Sequence, residues 1–541
     1  MFKIIDSPLS KTEYGEEKYL KNWPMIYILE NEKMAYVGES TNVTARMTQH
    51  RKNPEKKDFK SVHLIYSDKF NQSATFDYES RLIQLIAADG TFVITNKNDG
   101  IANKEYFEKL YYDENFERLW QILRDKKLAK KSITDIVNSD LFKYSPYKEL
   151  NEEQSGAITD IVNKLNEQYE MENDLSQAIV VNGMPGSGKT IVATYLFKFL
   201  RDYQKDGETP YADKTIALVV PQTSLRKTLK KLFKGIYGLK SSDVIGPSDV
   251  AKKEYDIVIV DEAHRLHKRK NIPNYGSHDA NNRELNLPKD GTELDWILKQ
   301  AKCVILFYDN MQVVGPSGIE KSTFSEKLAG EFKKRMTTYY KLFTQMRVKG
   351  GNDYITYIQS LLQGRLNGPS DKVNFENYEF YLVDSFGDFE KRLYEKEKVE
   401  GLSRMVAGYA WPWISKNDKT KKDICIEEYE RMWNNRTENW VHSETALDEV
   451  GCIHSVQGYD LNYAFVILGK DIKYNPDAKK VYVDKDSYFD KNGKNTTTLD
   501  ELDEYIKNIY YVLMTRGIKG TYLYICDEEL KKYFSEFIET I

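Results

Sequence analysis

A short apolar run at 178–181 leads into a glycine-rich loop and then into an apolar helical pattern. In the loop, Gly183 and Gly188 are separated by four residues, and Lys189 and Thr190 follow directly. This is the phosphate-binding loop pattern, in the strand–loop–helix context that the pattern requires. Glycines let backbone N–H groups close around phosphate oxygens, and the helix N-terminus adds positive potential. The stretch therefore predicts a nucleoside-triphosphate site.

Each loop residue has a predicted role in that site. Lys189 is expected to reach the β- and γ-phosphates, and the hydroxyl of Thr190 is expected to hold Mg²⁺. The predicted nucleotide-binding residues of the loop are Gly183, Gly186, Ser187, Gly188, Lys189 and Thr190.

Two further apolar runs end in polar residues. The run at 256–260 leads into Asp261 and Glu262, and the run at 303–307 is followed by Asp309 and Gln312. The carboxyl ends of parallel strands are the ligand edge of such a sheet. We therefore expect Asp261 to bind Mg²⁺ and Glu262 to position or deprotonate the attacking water. Asp309 and Gln312 form a polar pair that could sense the γ-phosphate or could simply cap a turn.

The alternation of strands and helices over 150–330 predicts a doubly wound parallel sheet. Gln154 opens the first helix of this region, and its amide could match both the donor and the acceptor of the adenine edge, which favours ATP. The polar stretch 271–291 is expected to be a loop that interrupts the alternation.

A second α/β unit is expected to follow. Arg347 and Arg516 each end an apolar or mixed stretch, where an arginine can stabilise γ-phosphate charge from across a cleft. Between them, a segment with His454, Ser455 and Gln457-Gly458 offers small or forked hydrogen-bonding groups. Such groups suit a nucleic-acid backbone and the far side of the ATP site.

The first hundred residues predict a different site. Strands at 25–29 and 35–38 are joined by a tight turn and carry Tyr27 and Tyr36. A helix is expected from Val43, capped by Thr41 or Asn42, and its residues 46 and 50 share one face. A second helix, predicted for 76–88, has Glu79 within its apolar stripe, where a carboxylate is costly unless it is paired or bound to metal.

Phosphodiester cleavage can use this combination of side chains. Glu79 could hold a divalent metal, Arg46 could neutralise the transition-state charge, and Tyr27, Tyr36 or His50 could activate or orient water. The set resembles the GIY-YIG endonuclease domain in its residues Tyr27, Tyr36-Val37-Gly38, Asn42, Arg46, His50, Glu79 and Asn96. Met25 replaces the glycine that this family often has first, and valine replaces isoleucine at position 37. The basic residues between 51 and 60 could contact phosphates or form a solvated loop.

The remainder resembles a superfamily one helicase and, more narrowly, the bacterial Schlafen-like helicase family formerly regarded as a domain of unknown function. The resemblance rests on the segments 404–413, 451–458 and 511–517 and covers about 150–541. Trp411 and Trp413 could stack on bases or belong to the core. The polar stretches 365–400 and 470–500 are expected to be insertions.

Composition limits the surroundings of the chain. Four widely separated cysteines indicate a reducing compartment. The sequence contains no run of eighteen apolar residues, so no membrane partner is expected. The net charge of −4 confines any nucleic-acid contact to local basic surfaces. A cytoplasmic protein is expected.

The predicted fold class is α/β: a small α/β GIY-YIG nuclease domain at 1–100, a helical connector at 101–149, and two RecA-like lobes with doubly wound parallel sheets at 150–330 and 331–541. The predicted function is an ATP-dependent DNA helicase or translocase fused to an endonuclease that uses Mg²⁺ or Mn²⁺ and acts in defence against foreign DNA such as phage. DNA is favoured over RNA, and a homo-oligomer or a defence partner protein is compatible with this architecture. Two alternatives remain open: an ATPase that gates the nuclease as a switch, and a recognition module that binds nucleic acid without cutting.

Overall fold

The computed structural model describes residues 2–12, 14, 17–97, 105–170, 176–204, 209–329, 335–436, 440–456 and 459–541. The chain forms two compact units. The first comprises Met1–Asn173, Thr190–Lys214 and Lys227–Val244, and the second comprises Asp174–Lys189, Thr215–Arg226 and Ile245–Ile541. Among the helices of these described ranges, none combines the length and the apolarity needed to cross a bilayer.

The described part of the first 150 residues forms a five-stranded sheet and six helices. In the sheet the strand order is β1-β4-β2-β3-β5, with antiparallel pairs except for the parallel pair β3–β5. The elements are β1 Lys3–Pro8, α1 Glu17–Leu20, β2 Met25–Glu30, β3 Met34–Ser40, α2 Val43–Lys52, β4 Ser61–Tyr66, α3 Gln72–Asp89, β5 Val93–Ile94, α4 Lys109–Asp125, α5 Ile133–Val137 and α6 Asp140–Lys143.

Local sequence signals set most of these boundaries. The predicted strands at 25–29 and 35–38 and the helix start at Val43 are confirmed, and the side chain of Asn42 caps that helix by accepting from the N–H of Ala45. Helix α3 begins four residues before the predicted start, because Asn71 caps it at Gln72. Asn96 fastens β3 from the side, since its amide accepts from the N–H of Val37 at 3.1 Å and donates to the carbonyl of Val37 at 2.8 Å.

The middle of the chain builds a six-stranded sheet in the order β11-β6-β10-β9-β7-β8. The pairs β6–β10, β6–β11, β9–β10 and β7–β9 are parallel, as predicted. The elements are α7 Glu152–Glu170, β6 Ser176–Gly183, α8 Lys189–Tyr203, β7 Ile216–Val219, α9 Thr223–Lys234, β8 Val244–Ile245, α10 Pro247–Val250, β9 Tyr255–Val260, α11 Tyr275–Glu284, α12 Glu293–Gln300, β10 Ala301–Tyr308, α13 Lys321–Leu328 and β11 Arg335–Leu342.

The last 200 residues form an eight-stranded sheet in the order β14-β15-β16-β13-β17-β20-β12-β21 and a separate hairpin of β18 and β19. The pairs of the large sheet are parallel except for β14–β15. The elements are α14 Gly351–Leu362, β12 Glu379–Leu382, α15 Phe386–Glu400, β13 Ser403–Ala407, β14 Ile424–Ile426, β15 Tyr429–Trp433, β16 Glu449–Gly451, α16 Ile453–Val456, β17 Leu461–Leu468, β18 Ile472–Asn475, β19 Lys480–Val483, α17 Lys491–Thr496, α18 Leu499–Met514, β20 Gly517–Ile525, α19 Glu528–Ser535 and β21 Glu539–Thr540.

Two expectations about irregular segments are wrong. The polar stretch 271–291 contains helix α11, which is capped by Asn274 and buries Asn282 rather than an apolar stripe; the indole of Trp296 donates to the Asn282 amide oxygen at 2.6 Å. The stretch 365–400 is not an insertion, since β12 pairs in parallel with β20 inside the large sheet and α15 follows it. The hairpin β18–β19, in contrast, stands apart from that sheet, as expected for 470–500.

Candidate active sites

Strands β2 and β3 place the two signature tyrosines next to each other. Tyr27 is paired with Gly38 across the ladder, and the rings of Tyr27 and Tyr36 are 6.3 Å apart. A Cβ atom on residue 38 would lie 2.3 Å from both Cζ and the hydroxyl oxygen of Tyr27. The glycine of this signature therefore provides the space that the Tyr27 ring occupies.

Helix α2 supplies the next two residues of the set. Arg46 and His50 lie one turn apart, and both meet the hydroxyl of Tyr27: Nε of Arg46 donates to it at 3.1 Å, and Nε2 of His50 is 2.9 Å away. Tyr27 is fully buried. Its hydroxyl accepts from Arg46 and can donate to a neutral His50 whose other ring nitrogen carries the proton. Tyr27 thus orients the arginine and the histidine.

A cavity of about 730 Å³ opens beside this network. Tyr36, Arg46, His50 and Glu79 all line it, so β3, α2 and α3 bring four of the five predicted nuclease residues to one space. The other walls include Lys56 and residues far away in sequence, among them Tyr147 and Asp202 of the first unit.

Charge and burial set the protonation states in this cavity. Burial, Arg46 and Lys56 lower the pKa of His50 to about 4, so its imidazole is neutral near pH 7 and can accept a proton. Burial and the neighbouring Glu39 raise the pKa of Glu79 to about 7, although Arg46 opposes the shift. Burial raises the pKa of Tyr36, while Arg46 lowers it.

The donor set fits a divalent cation at Glu79. The two carboxylates of Glu39 and Glu79 disfavour each other's charge, and Oε2 of Glu39 is buried without a hydrogen-bond partner. A cation would relieve both conditions. The described residues contain no group of three or more His, Cys, Asp or Glu side chains arranged for a metal, so water and phosphate oxygens would complete the shell.

The nucleotide loop follows β6, the strand between β10 and β11. Gly186 and Gly188 have φ angles of +84° and +79°, which favour glycine strongly. A Cβ on Gly183 would lie 2.3 Å from Oγ of Ser187. The loop conformation therefore requires Gly186 and Gly188, and Gly183 leaves room for the hydroxyl of Ser187.

The ammonium of Lys189 is held inside the loop. It donates to the carbonyls of Gly183 at 2.7 Å and Met184 at 3.1 Å, and it lies 3.2 Å from Oδ2 of Asp309, which follows β10. Gln312 donates to the same carboxylate oxygen at 2.8 Å. Asp309 thus connects Lys189 to Gln312, and its contact with Lys189 was not predicted from the sequence. Thr190 follows in the first turn of α8.

The acidic pair lies at the end of β9. Asp261 is fully buried, and Glu262 adopts a φ of +54°, a strained conformation that is often found at functional sites. Oε2 of Glu262 is 2.8 Å from Nε2 of His264. Burial raises the pKa of Glu262, but His264, Lys189 and Arg265 outweigh it and keep the group ionised. An ionised glutamate can orient or deprotonate water.

The segment after β11 contacts the loop. The N–H of Met346 donates to the carbonyl of Gly186 at 3.0 Å, the amide of Gln345 donates to the carbonyl of Pro185, and Arg347 forms an ion pair with Asp460. Gln345 was missed in the sequence, where a lone glutamine before Met346-Arg347 gives little signal.

The other predicted groups are placed less directly. Arg516 is buried, and its Nε donates to the carbonyl of Val512 at 3.0 Å. Gln154 lies in the first unit, where its side-chain oxygen accepts from the N–H of Asn151 at 3.1 Å, so its role in adenine binding stays a prediction. Gln457 and Gly458 lie outside the described residues.

A polar cavity of about 250 Å³ lies within the second unit, beside His264, the partner of Glu262. The residues that line it include His264, Arg265, Gln312 and His454. The cavity therefore brings Gln312 and His264 to the same space as His454. Trp411 and Trp413 are half-buried against the core of the large sheet, which supports core packing over base stacking.

Comparison with known proteins now identifies both regions. Residues 176–527 match the Schlafen group 3, DNA/RNA helicase domain, and residues 24–101 match the GIY-YIG catalytic domain. The chain belongs to the Schlafen group 3 helicase family. It also carries a GIY-YIG nuclease domain, so it combines a domain of nucleoside-triphosphate hydrolases with one of endonucleases.

The chain is also similar to individual proteins at 25% sequence identity or less. The uncharacterized protein YPL245W of Saccharomyces cerevisiae is 25% identical over 403 residues, which are 68% of this chain and 85% of that protein. The arterivirus nonstructural protein 10 helicase is 14% identical over 69% of this chain, with a TM-score of 0.29, and the match spans 64% of the arterivirus chain. Bacteroides Pif1 bound to ssDNA is 14% identical over 70% of this chain and 92% of its own, with a TM-score of 0.26.

Replacing Gly38 by alanine tests the packing of Tyr27. The new Cβ would displace the ring and its hydroxyl network, and a shift of about 1 Å in a catalytic group costs about a hundredfold in rate. We expect a loss of cleavage of that order with unchanged ATP hydrolysis. Gly156→Ala on α7 is the control, because a Cβ there meets nothing within 4 Å. Equal cleavage by both variants would contradict this account.

Replacing Glu79 by glutamine tests the electrostatics without any assay of activity. The pKa of Glu79 is about 7 in the fold and 4.5 in the unfolded chain, so the folded state loses stability as pH rises through this interval. In EDTA the variant should therefore have a higher melting temperature than the wild type at pH 8 and the same melting temperature below pH 4.5. The gain in free energy of unfolding at pH 8 should be at most about 3 kcal/mol. The exposed Glu117→Gln should show no such pH-dependent difference. A Glu79→Gln variant with a lower melting temperature than the wild type at pH 8 would contradict the raised pKa of Glu79.

Proposed function

We propose that this protein is an ATP-driven helicase or translocase fused to a metal-dependent endonuclease. The observation that carries the proposal is the convergence of the nuclease signature on one cavity: Tyr36, Arg46, His50 and Glu79 line it, and Tyr27 holds Arg46 and His50 by hydrogen bonds. A recognition module that never cuts would have no need of a neutral histidine and a desolvated carboxylate beside an arginine.

Each side chain of the cavity has a chemical task in this proposal. The guanidinium of Arg46, fixed by the hydroxyl of Tyr27, would bind the phosphate and stabilise its growing charge. The hydroxyl of Tyr36, or Nε2 of His50 through Tyr27, would orient the attacking water and take its proton. A divalent ion at Glu79, Mg²⁺ or Mn²⁺, would polarise the phosphate and stabilise the leaving oxygen.

The motor would bind ATP with the loop at 183–190, and the phosphates would replace Asp309 as the partner of Lys189. Asp261 and Thr190 would hold Mg²⁺, and Glu262 would position the attacking water. Arg347 and Arg516 would stabilise γ-phosphate charge from the second lobe. Strand separation or displacement of bound proteins would be the output.

The fusion suits restriction of foreign nucleic acid, such as phage DNA, in the cytoplasm. DNA is proposed over RNA, and a second copy or a defence partner would be compatible with this role. No disulfide joins the four cysteines, all of which lie in the described residues, and this supports a reducing compartment.

Cleavage of supercoiled plasmid tests the proposal. With Mg²⁺, we expect the wild type to cut and Glu79→Gln to lose cutting while it retains ATP hydrolysis, because only the nuclease carboxylate has changed. Lys189→Ala should lose ATP hydrolysis, because the phosphate ligand is gone. Products are resolved on agarose gels and phosphate release is measured in the same samples. Intact plasmid at all metal conditions, with ATP hydrolysis preserved, would favour the recognition module instead.

A specific observation favours the second candidate, in which the ATPase gates the nuclease. Helix α8 begins at Lys189, and its later turns belong to the first unit. There Thr194 donates to the carbonyl of Tyr144 at 3.2 Å, and Asp202 lines the nuclease cavity. The hydroxyl of Tyr147 is 3.2 Å from the carbonyl of Asn96, the residue that fastens β3. Within the first unit, α8 therefore contacts the segment that supports the nuclease strand.

Replacing Tyr147 by phenylalanine tests this coupling. The change removes the hydroxyl that donates to the carbonyls of Ile94 and Asn96, so we expect the effect of ATP on cleavage to weaken while ATP hydrolysis stays constant. Tyr78→Phe is a matched control, since its buried hydroxyl also donates to a carbonyl, that of Tyr112, away from α8. If ATP alters cleavage equally in both variants and the wild type, this route carries no coupling.

A further inference from the structure

The 3₁₀ turn after helix α2 places one lysine in the nuclease cavity. This turn, Pro54–Lys56, begins with Asn53, whose side chain accepts from the N–H of Glu55. The ammonium of Lys56 lies 3.4 Å from the ring centroid of Tyr36 and 5.6 Å from that of Phe59. A cation at this distance over an aromatic face is held by the ring's negative potential.

Lys56 differs from its basic neighbours in its surroundings. Lys52, Lys57 and Lys60 are exposed and do not line the cavity, whereas Lys56 is half-buried and lines it with Arg46 and Glu79. Within the described part of the chain, its ammonium has no ion pair and no hydrogen bond. The three N–H donors of a lysine held only by an aromatic face remain available to a ligand.

The electrostatic surroundings add a second reason for a ligand. Burial, Arg46 and Lys97 together lower the pKa of Lys56 to about 8, against the attraction of Glu55. Lys56 in turn helps to lower the pKa of His50. A lysine whose charged form is disfavoured by burial and by two nearby cations is stabilised by an anion with charge on several oxygens.

We propose that Lys56 is a second phosphate-binding cation of the nuclease, which contacts a phosphodiester of the nucleic-acid substrate while the ring of Tyr36 holds its ammonium in place. This inference rests on the proposed nuclease function and extends it with a residue outside the signature. Arg46 supplies a forked donor from α2, and Lys56 supplies a point charge from the following turn. Substrate phosphate therefore meets two cations from two elements.

The experiment measures initial rates of plasmid nicking over a range of plasmid concentrations, with full-length protein and Mg²⁺ and without ATP. Lys56→Met keeps much of the apolar stem and removes the charge, so KM should rise about tenfold or more and kcat should change less. Lys57→Met, one residue away and exposed, should stay within about twofold of the wild type. Lys56→Arg should retain most of kcat/KM at pH 7.

A pH series separates a phosphate contact from a structural role. The titratable and charged groups that line the cavity with Lys56 are Tyr36, Arg46, His50, Glu55, Asp58, Glu79, Lys97, Tyr147, Asp202 and Tyr237. The pKa of Lys56 is lowered to about 8, so its ammonium loses most of its charge between pH 8 and pH 9. KM of the wild type should therefore rise over this interval, and KM of Lys56→Arg should stay constant. Melting curves of all variants report whether the fold is intact.

The outcomes distinguish the two levels of the argument. If the wild type nicks plasmid and Glu79→Gln does not, but Lys56→Met has the wild-type KM, this inference is overturned and the nuclease stands. If Lys56→Met and Lys57→Met weaken nicking equally, the contact is a diffuse surface effect and the inference fails. If the wild type does not nick, the proposed nuclease and this inference fall together.

Discussion

Parallel pairing of β6 with a strand on each side is the constraint on which the nucleotide site depends. Because parallel strands end at the same edge, the loop after β6 meets Asp309 after β10 and the Gln345–Arg347 segment after β11. Lys189 and Asp309 are 120 residues apart in the sequence, and Pro185 and Gln345 are 160 residues apart. Side-chain chemistry at the site is thus a consequence of strand order.

The nuclease cavity depends on a different balance, between desolvation and opposed charges. Burial works against the ionised forms of Glu79, His50 and Lys56 alike, yet the cavity collects cations and carboxylates from several elements. Such an arrangement is costly to the fold without its ligands, and substrate phosphate and metal would each reduce the cost. The raised pKa of Glu79 and the lowered pKa of Lys56 have the same main cause, which is that burial disfavours the charged form of each group.

Sequence patterns predicted the parts whose geometry is local. The phosphate loop, the acids at the end of β9, the Asn42 cap and the face shared by Arg46 and His50 all follow from spacings within one element. Long-range partners could not be derived in this way. Tertiary packing determines three contacts: Asp309 with Lys189, Lys56 with the ring of Tyr36, and β12 with β20 in the large sheet. Helix α11 was missed because it buries His278 and Asn282 instead of an apolar stripe.

Helix α8 also fixes a register. Thr194 and Asp202 both lie on the part of it that belongs to the first unit, one bonded to the carbonyl of Tyr144 and one in the wall of the nuclease cavity. An α-helix turns by about 100° and advances by about 1.5 Å per residue, so one residue added or removed between them would rotate Asp202 away from the cavity while Thr194 kept its partner. The hydrogen bond of Thr194 and the cavity wall therefore share one helical register.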